Sequence, residues 1–306
     1  MNEEDFTVYI VGAGRVGATL ARHFQQAGIP VTGLVHRDFH KREVLKKQFP
    51  HLAVTEQVVP EALDGSPVVW ITVQDDYLSE VAAQLARLPV QWSGKACFHC
   101  SGAWSSEVLE ALARQGAATA AAHPIYAFSE EIAENSLQGV YFDIEGNQTA
   151  LAIGETLLSR IGAHPFRVTP EQKLPLHLAA SMYSNFLVTL AHMAQTVLRQ
   201  AGIQESLHWE PYRPLIESTL RNLTRFSPEN ALTGPIKRGD VATVRRHLEY
   251  LRRRIPSLVP VYRRLAQHTL RLTSLSESVA RQMHRLLEEE APRQENNTDN
   301  APSPKS

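Results

Sequence analysis

The sequence predicts an α/β chain: a doubly wound, mostly parallel sheet followed by an all-α C-terminal domain. Three observations carry this. Short β-branched runs alternate with amphipathic segments as far as residue 168, a glycine-rich turn joins the first strand to the first helix, and beyond Thr169 the hydrophobic period becomes helical throughout. At 306 residues the chain is longer than one core usually serves, so two domains are expected, 1–168 and 169–290, with a polar Asn- and Pro-containing tail over 291–306 read as disordered.

The first strand is Phe6 to Val11. Gly12-Ala13-Gly14-Arg15-Val16-Gly17 follows at once, and Val16, Leu20, Phe24 and Ala27 then recur at helical spacing until Gly28 ends the turn. Val31 to Val35 is a second strand, completing a βαβ unit within about 30 residues. The alternation continues with a helix from His40 to Gln48, a strand from Pro67 to Val73 and a helix from Asp76 to Leu88. A strand from Lys95 to Cys100 and a helix from Ser105 to Arg114 come next, then an alanine-rich sixth strand from Ala117 to Ala122. Tyr141 to Glu145, a helix near Ala150 to Ile161, and Pro165 to Val168 finish the sheet. The second half opens on a single long helix from Pro170 to Ala201, with Leu174, Leu178, Met182, Phe186, Leu190, Met193 and Val197 along one side. Further helices are expected at Trp209 to Thr224, Asp240 to Arg253, Ser257 to Leu272 and Ser276 to Glu290.

Composition narrows the function classes. Lys plus Arg (31) nearly balance Asp plus Glu (32), so no polyanion such as nucleic acid is expected as a partner. No apolar run reaches about 18 residues, and the acidic start does not resemble a signal peptide, so a cytoplasmic protein without membrane association is expected. Cys97 and Cys100 have redox or zinc spacing but lie on an expected strand with no second ligand pair, so no metal is expected.

The glycine pattern carries chemistry because of where it sits. A GxGxxG turn after a strand and at the start of a helix marks a Rossmann-type dinucleotide site: Gly12 for the tight turn, Gly14 for close approach of the pyrophosphate, Gly17 for helix–strand packing. Arg15 and Val16 then bring first-turn amides and the positive end of the helix dipole to the phosphates. At the end of the second strand, Val35-His36-Arg37 offers cations where an NAD site would place a carboxylate. His36 and Arg37 are therefore expected to hold a ribose 2′-phosphate, making the cofactor NADP(H). Ligands of such sheets also touch the carboxyl ends of other strands, which nominates Thr72, Val73, Ser101 and Gly102.

Three motifs carry a family resemblance: His99-Cys100-Ser101-Gly102-Ala103, His123-Pro124-Ile125 and Thr233-Gly234-Pro235-Ile236-Lys237-Arg238-Gly239-Asp240. With the overall order of elements they resemble a bacterial family of Rossmann-like NADP oxidoreductases with a C-terminal helical domain of unknown function. That family falls within the 6-phosphogluconate dehydrogenase and ketopantoate reductase-like superfamily. The resemblance implies a Lys on the first helix after the sheet that handles the substrate's proton, a position held here by Lys173, and an Asn four residues later, where this chain has His177. Residues four apart share a helix face, so Lys173 is expected as general acid and His177 as co-donor or orienting group, with Asn185 on the flank. His123, Ser181, Thr233, Gly234 and Arg238 are the expected substrate contacts, Arg238 for a carboxylate, and Asp240 is expected to cap the following helix. The function implied is NADPH-dependent reduction of a small 2-oxo acid by a homodimer. A cyclic imine reductase and a non-catalytic NADP-sensing regulator stand as alternatives.

Overall fold

A computed structural model describes residues 6–132 and 136–288. The expected tail over 291–306 lies outside the described residues, as do the last two positions of the helix expected to reach Glu290. The chain divides into two compact units between Phe186 and Leu187.

The first unit is built on an eight-stranded sheet. Its strands are β1 (Val8–Val11), β2 (Val31–Val35), β3 (Val54–Thr55), β4 (Val68–Ile71), β5 (Ala96–His99), β6 (Ala118–Pro124), β7 (Tyr141–Gly146) and β8 (His164–Arg167), in the order β3-β2-β1-β4-β5-β6-β7-β8. The pairings are parallel except β6 with β7, which run antiparallel. Strand order reverses direction at β1 and β4, and ligands of open α/β sheets sit beyond the carboxyl ends at such a switch point. β1, β4 and β5 are buried along their whole length, which is why they read as continuous apolar runs without alternation.

Helices α1 (Arg15–Gln26), α2 (Phe39–Gln48), α3 (Pro60–Asp64), α4 (Asp75–Ala86), α5 (Glu110–Ala113) and α6 (Gln148–Arg160) cover the sheet. One core holds Ile10, Leu20, Phe24, Trp70, Phe98 and Leu157; the other, across the sheet, holds Tyr9, Val69, Ile71, Leu78 and Leu112. β3 and α3 escape the sequence pattern because each is too short to show a period. The segment expected as one helix from Ser105 to Arg114 is a 3-10 turn running into the one-turn α5.

The long helix expected from Pro170 to Ala201 is interrupted. Helix α7 (Pro170–Tyr183) opens with a capping box in which Thr169 and Gln172 satisfy each other's backbone, and it ends at Ser184, whose φ of -111° and ψ of -69° leave the helical geometry. Helix α8 (Asn185–Gln200) resumes immediately. A one-residue break leaves the apolar spacing almost intact, so periodicity alone does not reveal it. The first unit thus keeps α7, the helix that the period change at Thr169 places at the head of the second domain.

The second unit continues with α9 (Arg213–Leu223), α10 (Pro228–Ala231), α11 (Pro235–Arg238), α12 (Val241–Arg254), α13 (Val259–Leu270) and α14 (Glu277–Glu288). Its core is Val244, Leu248, Leu251, Leu270, Met283, Leu286 and Leu287, the inward stripes of α12, α13 and α14. Among the described residues, no helix is long and apolar enough to cross a membrane.

Candidate active site

The glycine turn is locked from both sides. Gly12 and Ala13 donate their backbone N–H groups to the Val35 carbonyl at 2.9 and 2.8 Å, and the Thr72 hydroxyl donates to the Gly12 carbonyl at 2.8 Å. Gly12 has a φ of +92°, and a Cβ there would lie 2.6 Å from Val73 Cγ1. Gly17 packs its backbone on β4, where a Cβ would collide with Thr72 Oγ1. Gly14 differs: a Cβ built on it meets nothing nearer than the Gly12 carbonyl at 3.9 Å, so the ground in front of this backbone is open. The amides of Arg15, Val16 and Gly17 follow, in a first turn with no acidic residue and no side-chain cap to satisfy them. Open space before a bare helix start is what a pyrophosphate requires. Arg15 points its guanidinium at the Phe128 carbonyl and Glu130.

A cleft of about 1030 Å³ runs from this turn along the carboxyl ends of β2 and β4, lined by Gly12, Gly14, His36, Arg37, Thr72, Val73 and Tyr77 among others. Asp38 also lines this cleft and is exposed; one oxygen of its carboxylate accepts from the Lys41 amide at 2.8 Å and caps α2. Arg42 braces the loop, donating to the carbonyls of His36 and Arg37 and to Glu56. Arg37 itself is exposed and lies over the Tyr77 ring, 4.5 Å from its centroid.

Beyond the next strands sits a cluster of ionisable groups. Because β6 and β7 are antiparallel, His123 and Asp143 stand directly opposite each other. His123 Nδ1 meets Asp143 Oδ2 at 2.8 Å, and Lys173 Nζ, reaching down from α7, meets Oδ1 at 2.5 Å. Asp143 and Lys173 are each only 1% exposed. Burial pushes the Asp143 carboxyl up, but the hydrogen bond from His123 and the Lys173 ammonium outweigh it and hold the group below the usual carboxylate range. His177, one turn along α7, turns its ring edge-on to His123 at 5.4 Å between centroids, and its Nδ1 is buried without a hydrogen-bond partner. Ser181 and Ser184 continue the same half-buried face of α7.

The loop after β5 is tied to this cluster. His99 is fully buried; its Nδ1 accepts from the Ser101 amide at 3.1 Å and its Nε2 meets the Ser105 carbonyl at 3.1 Å. Those partners demand a neutral ring protonated at Nε2, and burial pushes its pKa down to about 3. The Ser101 hydroxyl donates to Asp75, while Glu145 accepts from the Ser106 amide and hydroxyl. Gly102 then passes between the imidazoles: a Cβ there would lie 2.8 Å from His123 Nε2 and 2.5 Å from His177 Nδ1.

The structure therefore brings Lys173, His177, His123, Ser101 and Gly102 together, and gathers Gly12, Gly14, Arg15, Val16, His36, Arg37, Thr72 and Val73 along the cleft. Asn185 starts α8 and is exposed. Thr233, Gly234 and Arg238 belong to the second unit. Thr233 and Arg238 are exposed, Gly234 has a φ of +97°, and Asp240 caps α12 by accepting from the Thr243 amide. Gly239 in that motif has a packing duty, since a Cβ would meet Val279 and Leu275 of the same unit. Cys97 is buried in the core, which pushes its thiol up to about 12. Sequence reasoning overlooked Asp143, Asp75, Glu145 and Tyr77. The available signal was acids at alternate positions, Asp143 and Glu145, on one strand.

Comparison with known proteins agrees with this architecture. Residues 1–124 match the model of a Rossmann-like domain, and residues 140–269 match a domain of unknown function, DUF2520. The chain thus pairs the two domain types in one order, a Rossmann-like one first. No curated protein matches it in sequence. Among solved structures, a Bacteroides fragilis protein carrying the name "putative NADP oxidoreductase" is similar over 88% of this chain and 100% of its own, with 21% identity and a TM-score of 0.75. A Thermotoga maritima protein is 27% identical over 91% of this chain and 100% of its own, TM-score 0.64. The Aspergillus terreus reductive aminase, in complex with NADPH and ethyl levulinate, covers 92% of each chain at 18% identity and TM-score 0.57.

Proposed function

We propose that this chain is an NADPH-dependent reductase of a small 2-oxo acid or related carbonyl compound. The observation that carries the proposal is the pairing, within one unit, of an open glycine turn and cation-lined cleft with a buried Lys173–Asp143–His123 cluster beyond it. The names of the Bacteroides and Aspergillus proteins support the same cofactor and the same broad reaction.

The residues fit the cofactor. Gly14 leaves backbone room where a Cβ would otherwise project, and the first-turn amides of α1 would hold the pyrophosphate. Arg37, with His36 behind it, would hold the 2′-phosphate, while Asp38, which also lines the cleft, has one carboxylate oxygen committed to capping α2. When bound, NADPH supplies the hydride. The chain's own contribution is to place the substrate by Gly102, with Ser181 on the same face of α7, and to hold a proton in the histidine–aspartate–lysine cluster. Two copies would pair through their exposed apolar helices. Reduction of a cyclic imine is the second reading; the Aspergillus protein's name, reductive aminase, supports carbon–nitrogen chemistry with the same cofactor.

Intrinsic tryptophan fluorescence titrated with NADPH tests the first step, and loss of NADPH absorbance across a panel of 2-oxo acids and cyclic imines tests the second. Saturable binding with oxidation by a 2-oxo acid is expected. Binding without oxidation of any panel member leaves a sensor, not an enzyme; no binding at all removes the reductase.

A further inference from the structure

We infer that His123 Nε2 is the atom that delivers the proton to the substrate oxygen, with Asp143 as positioning carboxylate and Lys173 as a buried counter-charge. This rests on the reductase reading above and settles which member of the cluster does the acid's work.

A proton donor must come within about 2.6–3.2 Å of the oxygen it protonates. Lys173 is covered: it is 1% exposed, and its ammonium is engaged with Asp143 Oδ1. The His123 side chain is 13% exposed, so its ring reaches the surface of the cluster. Its Nδ1 is held by Asp143 at 2.8 Å, which fixes the tautomer and turns Nε2 toward Gly102. Among the described residues no protein group bonds to that Nε2. The atom aimed at the loop after β5 is therefore the imidazole nitrogen and not the ammonium.

Lys173 has a different task. A buried carboxylate facing one imidazole alone would tend to take up a proton; a second cation on its other oxygen keeps it ionised, so that it can stabilise an imidazolium. The titratable groups around His123 are Asp143 from β7, Lys173 and His177 from α7, and His99 from β5. His99 is committed through both ring nitrogens, so it neither donates nor accepts a further proton.

As hydride adds to the carbonyl carbon, the C=O π pair moves onto oxygen, an O–H bond forms and the Nε2–H bond of His123 breaks. The imidazolium becomes neutral imidazole, Asp143 remains a carboxylate, and water restores the proton after product leaves.

The test uses the full chain with ¹⁵N-labelled histidine and NADP⁺ bound, followed by NMR from pH 5 to 9. His123 Nδ1 should show the hydrogen bond to Asp143 while Nε2 shows none to the protein, and Asp143→Asn should remove the Nδ1 signature. With the carbonyl compound that the panel identifies, His123→Gln should lower kcat by about 100-fold or more. NADPH affinity should stay within about two-fold of the parent, because a proton donor adds little to cofactor binding. An Nε2 hydrogen-bonded within the protein while NADP⁺ is bound overturns the assignment and leaves the reductase standing. So does a His123→Gln enzyme with unaltered kcat beside an inactive Lys173→Met. Histidine signals indifferent to NADP⁺, with no panel member oxidised, sink the reductase and this inference with it.

Discussion

At the scale of single residues, side chains either face a ligand or hold those that do, and the two kinds call for different measurements. Arg37 is of the first kind. It stands exposed over Tyr77 at the mouth of the cleft, while Arg42 is consumed in bracing the loop beneath it. Arg37→Ala should weaken NADPH binding roughly 10- to 100-fold, the value of one charge-assisted contact, with NADH affinity little changed. Equal losses for both cofactors, read by fluorescence titration, would refute a role at the 2′-phosphate. His99 is of the second kind. Its folded pKa of about 3 lies far below the ordinary histidine value, so between these limits only the unfolded chain takes up the proton. Stability should therefore rise with pH from about 3 to about 6.5, by at most about 1.4 kcal/mol per unit, and level off above. Urea midpoints between pH 4 and 7 check this, and His99→Asn, which keeps an acceptor near the Ser101 amide, should flatten the slope. His99 was legible only as part of a motif; that it is a buried neutral support follows from two hydrogen bonds across its ring. Asp143 was visible only as one of two acids at alternate positions on a strand; its role was not, because its partners His123 and Lys173 lie 20 and 30 residues away.

At the scale of elements, the parallel half of the sheet was readable because buried strands and covering helices impose their periods on ten or more residues at a time. What escaped was whatever depends on a pairing direction or a single residue. The segment before β7 returns the chain antiparallel to β6, and that reversal sets Asp143 across from His123. The break at Ser184 likewise costs one residue of helix and hardly disturbs the apolar spacing. Short α3 illustrates how such an unpredictable element is held. Its carboxyl end is satisfied by the buried Lys95, whose Nζ donates to the carbonyls of Leu63, Asp64 and Ser66 at 3.2, 2.6 and 3.0 Å. Lys95→Met would keep the buried stem and strand these carbonyls, costing roughly 3 kcal/mol. Because this contact lies before β5, at the end of the sheet away from the cleft, NADPH affinity of the folded variant should be unchanged. A large fall in urea midpoint with a constant NADPH dissociation constant is the expected pair of results; a constant midpoint would mean water replaces the ammonium.

At the scale of the whole molecule, the apolar side chains left at the surface matter most. Along α7 and α8, Leu178, Met182, Tyr183 and Val188 are more than half exposed, and on α9 Leu215 is 61% exposed. A lone chain rarely leaves so many large apolar side chains in water, since each one withheld from a core forgoes roughly 1.5–3 kcal/mol. Most protein oligomers are twofold dimers, and an apolar helix face can serve as both halves of such an interface. The proposed homodimer should therefore appear in light scattering as a particle of twice the chain mass at micromolar concentration. Val188→Glu combined with Leu215→Glu places charges at sites that are exposed in the single chain, so the fold of each unit should survive, with circular dichroism unchanged. If these helices form the interface, two buried unpaired carboxylates per chain would be intolerable there, and the scattering mass should fall to that of one chain. A parent protein that stays monomeric at high concentration, or a double variant that stays dimeric, would place the interface elsewhere or remove it. NADPH binding to the monomeric variant then decides a further point: the glycine turn, Arg37 and the histidine cluster all lie within the first unit, so the cofactor should still bind after the copies separate.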